Sequence, residues 1–130
     1  MDIASVRAAI KTSLSGLSLR VYDYVPLAPD PPCAVIYPDS IPSQETLGTG
    51  LRRPTFVVAL YVSMGNQQAG TRTMDKLLGR GQTGSLFDAL DTISGYSISD
   101  AQLRGGSYRP ILGPDGTTAM LTAEVEFDLF

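Results

Sequence analysis

Residues Pro54 to Ser63 read P-T-F-V-V-A-L-Y-V-S. As an extended strand this stretch puts Phe56, Val58, Leu60 and Val62 on one face and Val57, Ala59 and Tyr61 on the other. Both faces are apolar, so the segment belongs in the middle of a sheet with cover on two sides. It therefore needs strand neighbours to either flank, and the rest of the chain is read for them.

On the N-terminal side, Cys33 to Tyr37 (C-A-V-I-Y) is a short apolar run of the same two-sided kind. Leu19 to Val25 alternates, with Leu19, Val21 and Asp23 set against Arg20, Tyr22 and Tyr24. Pro26, Pro29, Pro31 and Pro32 separate these two strands, and Pro38 follows the second. Proline fixes φ and lacks an N–H, so this joint is a stiff spacer and not sheet. On the C-terminal side, Thr117 to Leu129 alternates cleanly. Leu121, Ala123, Val125, Phe127 and Leu129 face inward, and Thr122, Glu124, Glu126 and Asp128 face outward.

Helices fill the remaining apolar patterns. Asp2 to Leu14 carries Ile3, Val6, Ala9, Ile10 and Leu14 at three- and four-residue spacing, with Arg7 and Lys11 opposite. Asp2 is placed to cap its start, and Gly16 its end. Gly65 to Gly70 reads as a turn, Thr71 to Leu78 as a short helix, Gly79 to Gly84 as its break and Ser85 to Ile93 as a second helix. Ser97 to Tyr108 reads as a polar strand with a bulge at Gly105 and Gly106, and Gly113 to Gly116 (G-P-D-G) as a turn. Pro38 to Arg53 is left as a long loop or hairpin arm. The order predicts one α+β domain over 1–130: a mostly antiparallel sheet of about five strands backed by two to three helices.

Composition narrows the function. The 130 residues include no histidine and a single cysteine, Cys33. This removes the commonest general base and metal ligand, and any internal disulfide. The net charge of −3 gives no global field toward nucleic acid or anionic lipid. No segment has the apolar length of a membrane span, and Asp2, Arg7 and Lys11 interrupt any leader-like stretch, so a cytoplasmic start is expected.

Glu124, Glu126 and Asp128 form the sharpest charge pattern, one face of a strand with neighbours about 7 Å apart. A solvated face is the plain reading, a divalent-cation site a second, and an acidic wall lining a channel a third. Asp88 and Asp91 share a helix face but nothing joins them. Cys33, Ser40 and Ser85 have no histidine partner, and neither Lys11 nor Lys76 lies in an S-x-x-K motif. The run G-R-G-Q-T-G at Gly79 to Gly84 lacks the G-K-[ST] of a phosphate loop. Arg72, Lys76 and Arg80 recur every four residues as a basic stripe, a solvated helix face or a contact for an acidic partner. The six tyrosines spread over strands could stack bases only beside a basic groove, which the composition does not supply.

The order of parts resembles the tail terminator (tail completion) proteins of long-tailed bacteriophages, especially those of actinobacterial hosts. The carrying residues are the N-terminal amphipathic helix, L-R-V-Y-D-Y-V-P from Leu19, P-D-P-P-C-A-V-I-Y-P-D-S from Pro29 and L-G-T-G-L-R-R from Leu47. After them come T-F-V-V-A-L-Y-V from Thr55 and L-F-D-A-L from Leu86. The resemblance implies a non-enzymatic α+β subunit without cofactor. It would assemble as a hexameric ring on the head-proximal end of the tail tube, inside the virion at the head–tail junction. Its partners would be its own copies, the tail tube protein and the head connector or stopper, with duplex DNA passing through the lumen. On that reading Glu124, Glu126 and Asp128 line the channel, and Leu47, Leu51, Arg52 and Arg53, with Arg72, Lys76 and Arg80, meet a neighbouring subunit or the tube. A stopper or adaptor of the same neck is the nearest alternative. From other classes, the alternatives are a small metal- or ligand-binding enzyme using the C-terminal carboxylates and a single-stranded nucleic-acid binder.

Overall fold

The computed structural model describes residues 3–28, 30–40, 55–81, 84–113, 116 and 119–129. Its sheet is built around two long strands, β3 (Thr55–Ser63) and β6 (Ala119–Leu129), antiparallel from Thr55↔Asp128 to Ser63↔Met120. β3, with its two apolar faces, has a strand on either flank as expected. β2 (Cys33–Ser40) pairs antiparallel with β3 on its far side, and β1 (Arg20–Tyr22) pairs parallel with β2. β4 (Ile98–Leu103) and β5 (Arg109–Leu112) lie end to end along the free side of β6. Among the described residues the result is one mixed six-stranded sheet, α+β as read from the sequence, in the order β1-β2-β3-β6-β4 with β5 also on β6.

Three helices are described: α1 (Ile3–Leu14), α2 (Gln67–Leu78) and α3 (Leu86–Leu90). They pack on one face of the sheet. Val6, Ile10 and Leu14 of α1, Met74 and Leu77 of α2 and Leu86, Phe87 and Leu90 of α3 join Ala34, Ile36, Phe56, Val58, Leu60, Val125, Phe127 and Leu129 in one buried cluster. The Phe56 and Phe127 rings stack there at 6.5 Å. Each fully buried side chain of this size contributes about 1.5–3 kcal/mol relative to exposure, which makes this layer the main source of stability.

Several boundaries differ from the sequence reading, each for a local reason. The first strand is only three residues and pairs parallel with the second, so the proline joint over 23–32 has to carry the chain back to the end where β1 began. The second continues through Pro38 to Ser40. β1 covers only Cys33 to Val35, so among the described residues Pro38 has a strand neighbour on the β3 side alone, the edge setting in which proline is tolerated. A register shift follows between Pro38 and Ser40. The rest of the expected arm, residues 41–54, lies outside the described residues.

Helix α2 starts four residues early. Asn66 caps it, its Oδ1 accepting from the Ala69 N–H at 3.0 Å. Gly70 is therefore not a turn residue. It sits inside the helix where a Cβ would come within 2.5 Å of the Ser63 carbonyl oxygen, and it permits α2 to close on the end of β3. The polar strand expected over Ser97 to Tyr108 is two strands. Gly105 and Gly106 lie in the loop between them, and the bulge falls at Asp100, whose φ is 57°, and Ala101. The G-P-D-G turn is closed by Gly116 N–H donating to the Gly113 carbonyl at 2.9 Å.

Candidate functional site

The sheet face away from the helices carries the acidic row. Alternation along β6 sends Val125, Phe127 and Leu129 into the core and leaves Glu124, Glu126 and Asp128 half-buried on the other side. Across β3 they stand opposite Ala59, Val57 and Thr55. Only Thr55 offers a polar group, and its hydroxyl donates to Asp128 Oδ1 at 2.9 Å.

The other partners come from β4, through the bulge. Ser99 lies opposite Asp128, yet Gln102, not Ala101, lies opposite Glu126. One extra residue has shifted the phase of the strand. Gln102 and Arg104 thereby share the face of the acids. Gln102 Nε2 donates to Glu126 Oε1 at 3.0 Å. The Arg104 guanidinium spans two rungs, Nη1 to Glu124 Oε2 at 3.1 Å and Nε to Glu126 Oε2 at 3.4 Å. From β2, Tyr37 donates its hydroxyl to the same Glu124 oxygen at 2.9 Å. Burial first, then this hydrogen bond to a carboxylate, push the Tyr37 phenol well above its ordinary value. Tyr61 is raised in the same direction, by burial and then by the Glu124 charge. Ser107 is buried at the loop between β4 and β5, donating to the Arg104 carbonyl at 2.6 Å and accepting from the Glu124 N–H at 3.2 Å. It ties this corner to β6.

The three acids are thus brought together as expected, but as members of a network. Arg104, Gln102, Tyr37 and Thr55 were not singled out from the sequence. One signal was present: apolar Ile98 and Ala101 are three apart, not two, in an otherwise polar strand, which is what one inserted residue produces. Chemically the row presents charge. Each carboxylate already accepts a hydrogen bond, and among the described residues no group of three or more Cys, Asp or Glu side chains is arranged to hold a metal ion.

The basic stripe is split. Arg72 and Lys76 are exposed on α2, but Arg80 lies past the helix end. Its guanidinium sits 4.1 Å over the Phe87 ring and donates to the Ala101 carbonyl on β4. Leu47, Leu51, Arg52 and Arg53 lie outside the described residues. Asp88 accepts from the Gly81 N–H at 3.2 Å, a loop contact. Cys33 is buried, and its thiol is pushed up to about 11 by burial and by Asp30, against the lowering effect of Arg20. It is a packed, protonated side chain at neutral pH.

No described helix is long and apolar enough to cross a membrane. No protein-family model matches this chain, and a search of curated proteins finds no match.

Proposed function

We propose that this chain is a non-catalytic virion protein. It forms a ring, hexameric by the resemblance, at the head-proximal end of a phage tail tube, where it ends tube polymerisation and joins the tail to the head connector. The order of the sequence motifs across most of the chain carries this reading. The one-sided layering of the domain supports it. With all described helices on one sheet face, the other is left to strands, loops and a charged row. Among the described residues that row sets three carboxylates against one guanidinium, so it keeps a negative balance. A conduit for duplex DNA works best when its wall repels phosphate, because each neutralised phosphate would slow transit. Glu124, Glu126 and Asp128 are assigned to that wall.

The test is tail length by negative-stain microscopy in particles assembled with the gene silenced. Overlong tubes of varied length without heads are expected. Tails of normal length beside unattached, leaking heads would move the chain to a stopper or adaptor, and intact virions would overturn the reading.

A further inference from the structure

The face that carries none of the described helices has a second, apolar end. Val25, Pro26, Leu27, Val35, Tyr61, Ile111, Leu112, Gly113 and Met120 line a groove of about 390 Å³ there, and none of these residues is charged. Val35 and Met120 form its buried floor. Leu27 is 100% exposed at its rim, flanked by Val25 at 67% and Leu112 at 63%. A leucine wholly in water beside an apolar hollow is a knob next to a hole.

The knob is held in place. Pro26 and Pro31 restrict the backbone to either side of Leu27. Arg7 Nη1 donates to the Asp23 carbonyl at 3.3 Å, tying the start of the loop to α1, and Arg20 pairs with Asp30 at 2.6 Å at its end. A rim residue on a backbone restrained in this way loses little backbone freedom when it is covered.

We infer that this face pairs two copies of the chain about a two-fold axis, with Leu27 of each copy seated in the other's groove. Knob and hole adjoin on a single patch, which is the arrangement a two-fold contact requires. Head-to-tail contacts need two separate patches. The lining of the groove carries no charged side chain, and among the described acids Glu124 acts on Tyr61 at its edge. The exposed parts of Val25, Leu27 and Leu112 amount to roughly 400 Å², and the partly exposed Pro26, Tyr61 and Ile111 bring the patch near the ~600 Å² per partner at the low end of stable interfaces. The contact is accordingly weak and concentration-dependent. The contact uses the same sheet face as the acidic row assigned to the conduit, at the other end of β6, and its test is separate from that of the neck-protein reading.

Sedimentation equilibrium of the full chain from about 5 to about 500 μM tests it. A monomer–dimer equilibrium is expected. Leu27→Asp and Leu112→Asp should each weaken it on the order of 100-fold, since each places two charges in an apolar contact. Their far-UV spectra and melting should be unchanged, because both side chains are already in water. Leu103→Ser, exposed on β4 away from the groove, should dimerise as the parent does. A parent chain that stays monomeric throughout overturns the inference. Association that survives Leu27→Asp, or an assembly larger than a dimer that depends on Leu27, also overturns it.

Discussion

Arg104 stands across from Glu124 because β4 carries one more residue than β6 between Ser99 and Gln102. In an unbroken ladder Leu103 would hold that place, and the glutamates would have no cation from this strand. The charged face thus depends on backbone phase as much as on residue type. Arg104→Ala should destabilise the fold by about 1–2 kcal/mol, since it leaves two half-buried carboxylates without this partner. Glu126→Gln should cost less than about 0.5 kcal/mol, because its partners are partly exposed. Urea unfolding of the two variants checks this, and equal losses would mean that the ion pairs contribute nothing specific.

Gly70→Ala sets two effects against each other. Alanine favours a helix interior by about 1 kcal/mol over glycine. Here its Cβ would meet the Ser63 carbonyl oxygen at 2.5 Å, backbone that cannot swing aside. The clash should win, with a net loss of at least about 2 kcal/mol by denaturant titration. A stabilised variant would show that α2 does not approach β3 so closely.

Alkaline pH should weaken the fold in two stages. The Cys33 thiol is held protonated up to about 11, above the usual 9.0, so its contribution is intact below 9.0 and is lost as pH rises through 11. Tyr37 acts in the same direction above its usual 10.0. The urea midpoint should hold steady from pH 7 to 8.5 and then fall. Cys33→Ala should flatten the part of that fall between 9 and 11, and Tyr37→Phe the part above 10. A midpoint that rises above pH 9 would contradict both assignments.

Arg80 guards the outer edge of the sheet. Its guanidinium occupies the Ala101 carbonyl and covers Phe87, where an unpaired strand edge would otherwise face water. Arg80→Ala should raise amide hydrogen exchange over residues 98–103 while leaving β3 protected. Uniform change across the sheet would point instead to global destabilisation.

If Glu126 and Asp128 line a DNA conduit, Glu126→Lys with Asp128→Lys should leave tail length normal and slow genome ejection from assembled particles. Ejection at the parental rate would remove the row from the lumen.

The architecture was legible where burial is two-sided or strictly periodic. Pro54–Ser63 and the alternating C-terminal strand announced the pair β3 and β6, and the α1 stripe its buried residues. Legibility failed where one residue can serve opposite purposes. Gly70 signals a turn by composition, but a tight helix–strand contact needs the same missing side chain. Asp100 adopts the left-handed conformation that glycine usually supplies, so the bulge was sought at Gly105 and Gly106. The acids of the site were visible from their period of two. Their partners were not, because Tyr37 and Arg104 reach Glu124 across 87 and 20 residues of sequence.

β6 touches more of the sheet than any other described strand, with β3 on one side and β4 and β5 on the other, yet it follows them all in the chain. During synthesis the ribosome therefore delivers the hub after the strands it holds together. Until residues 119–129 emerge, β1, β2 and β3 form a sheet fragment with a bare apolar edge, and β4 and β5 have nothing to pair with. Such a chain folds late and nearly all at once, and truncation just before β6 should release an aggregating fragment, not a smaller stable domain.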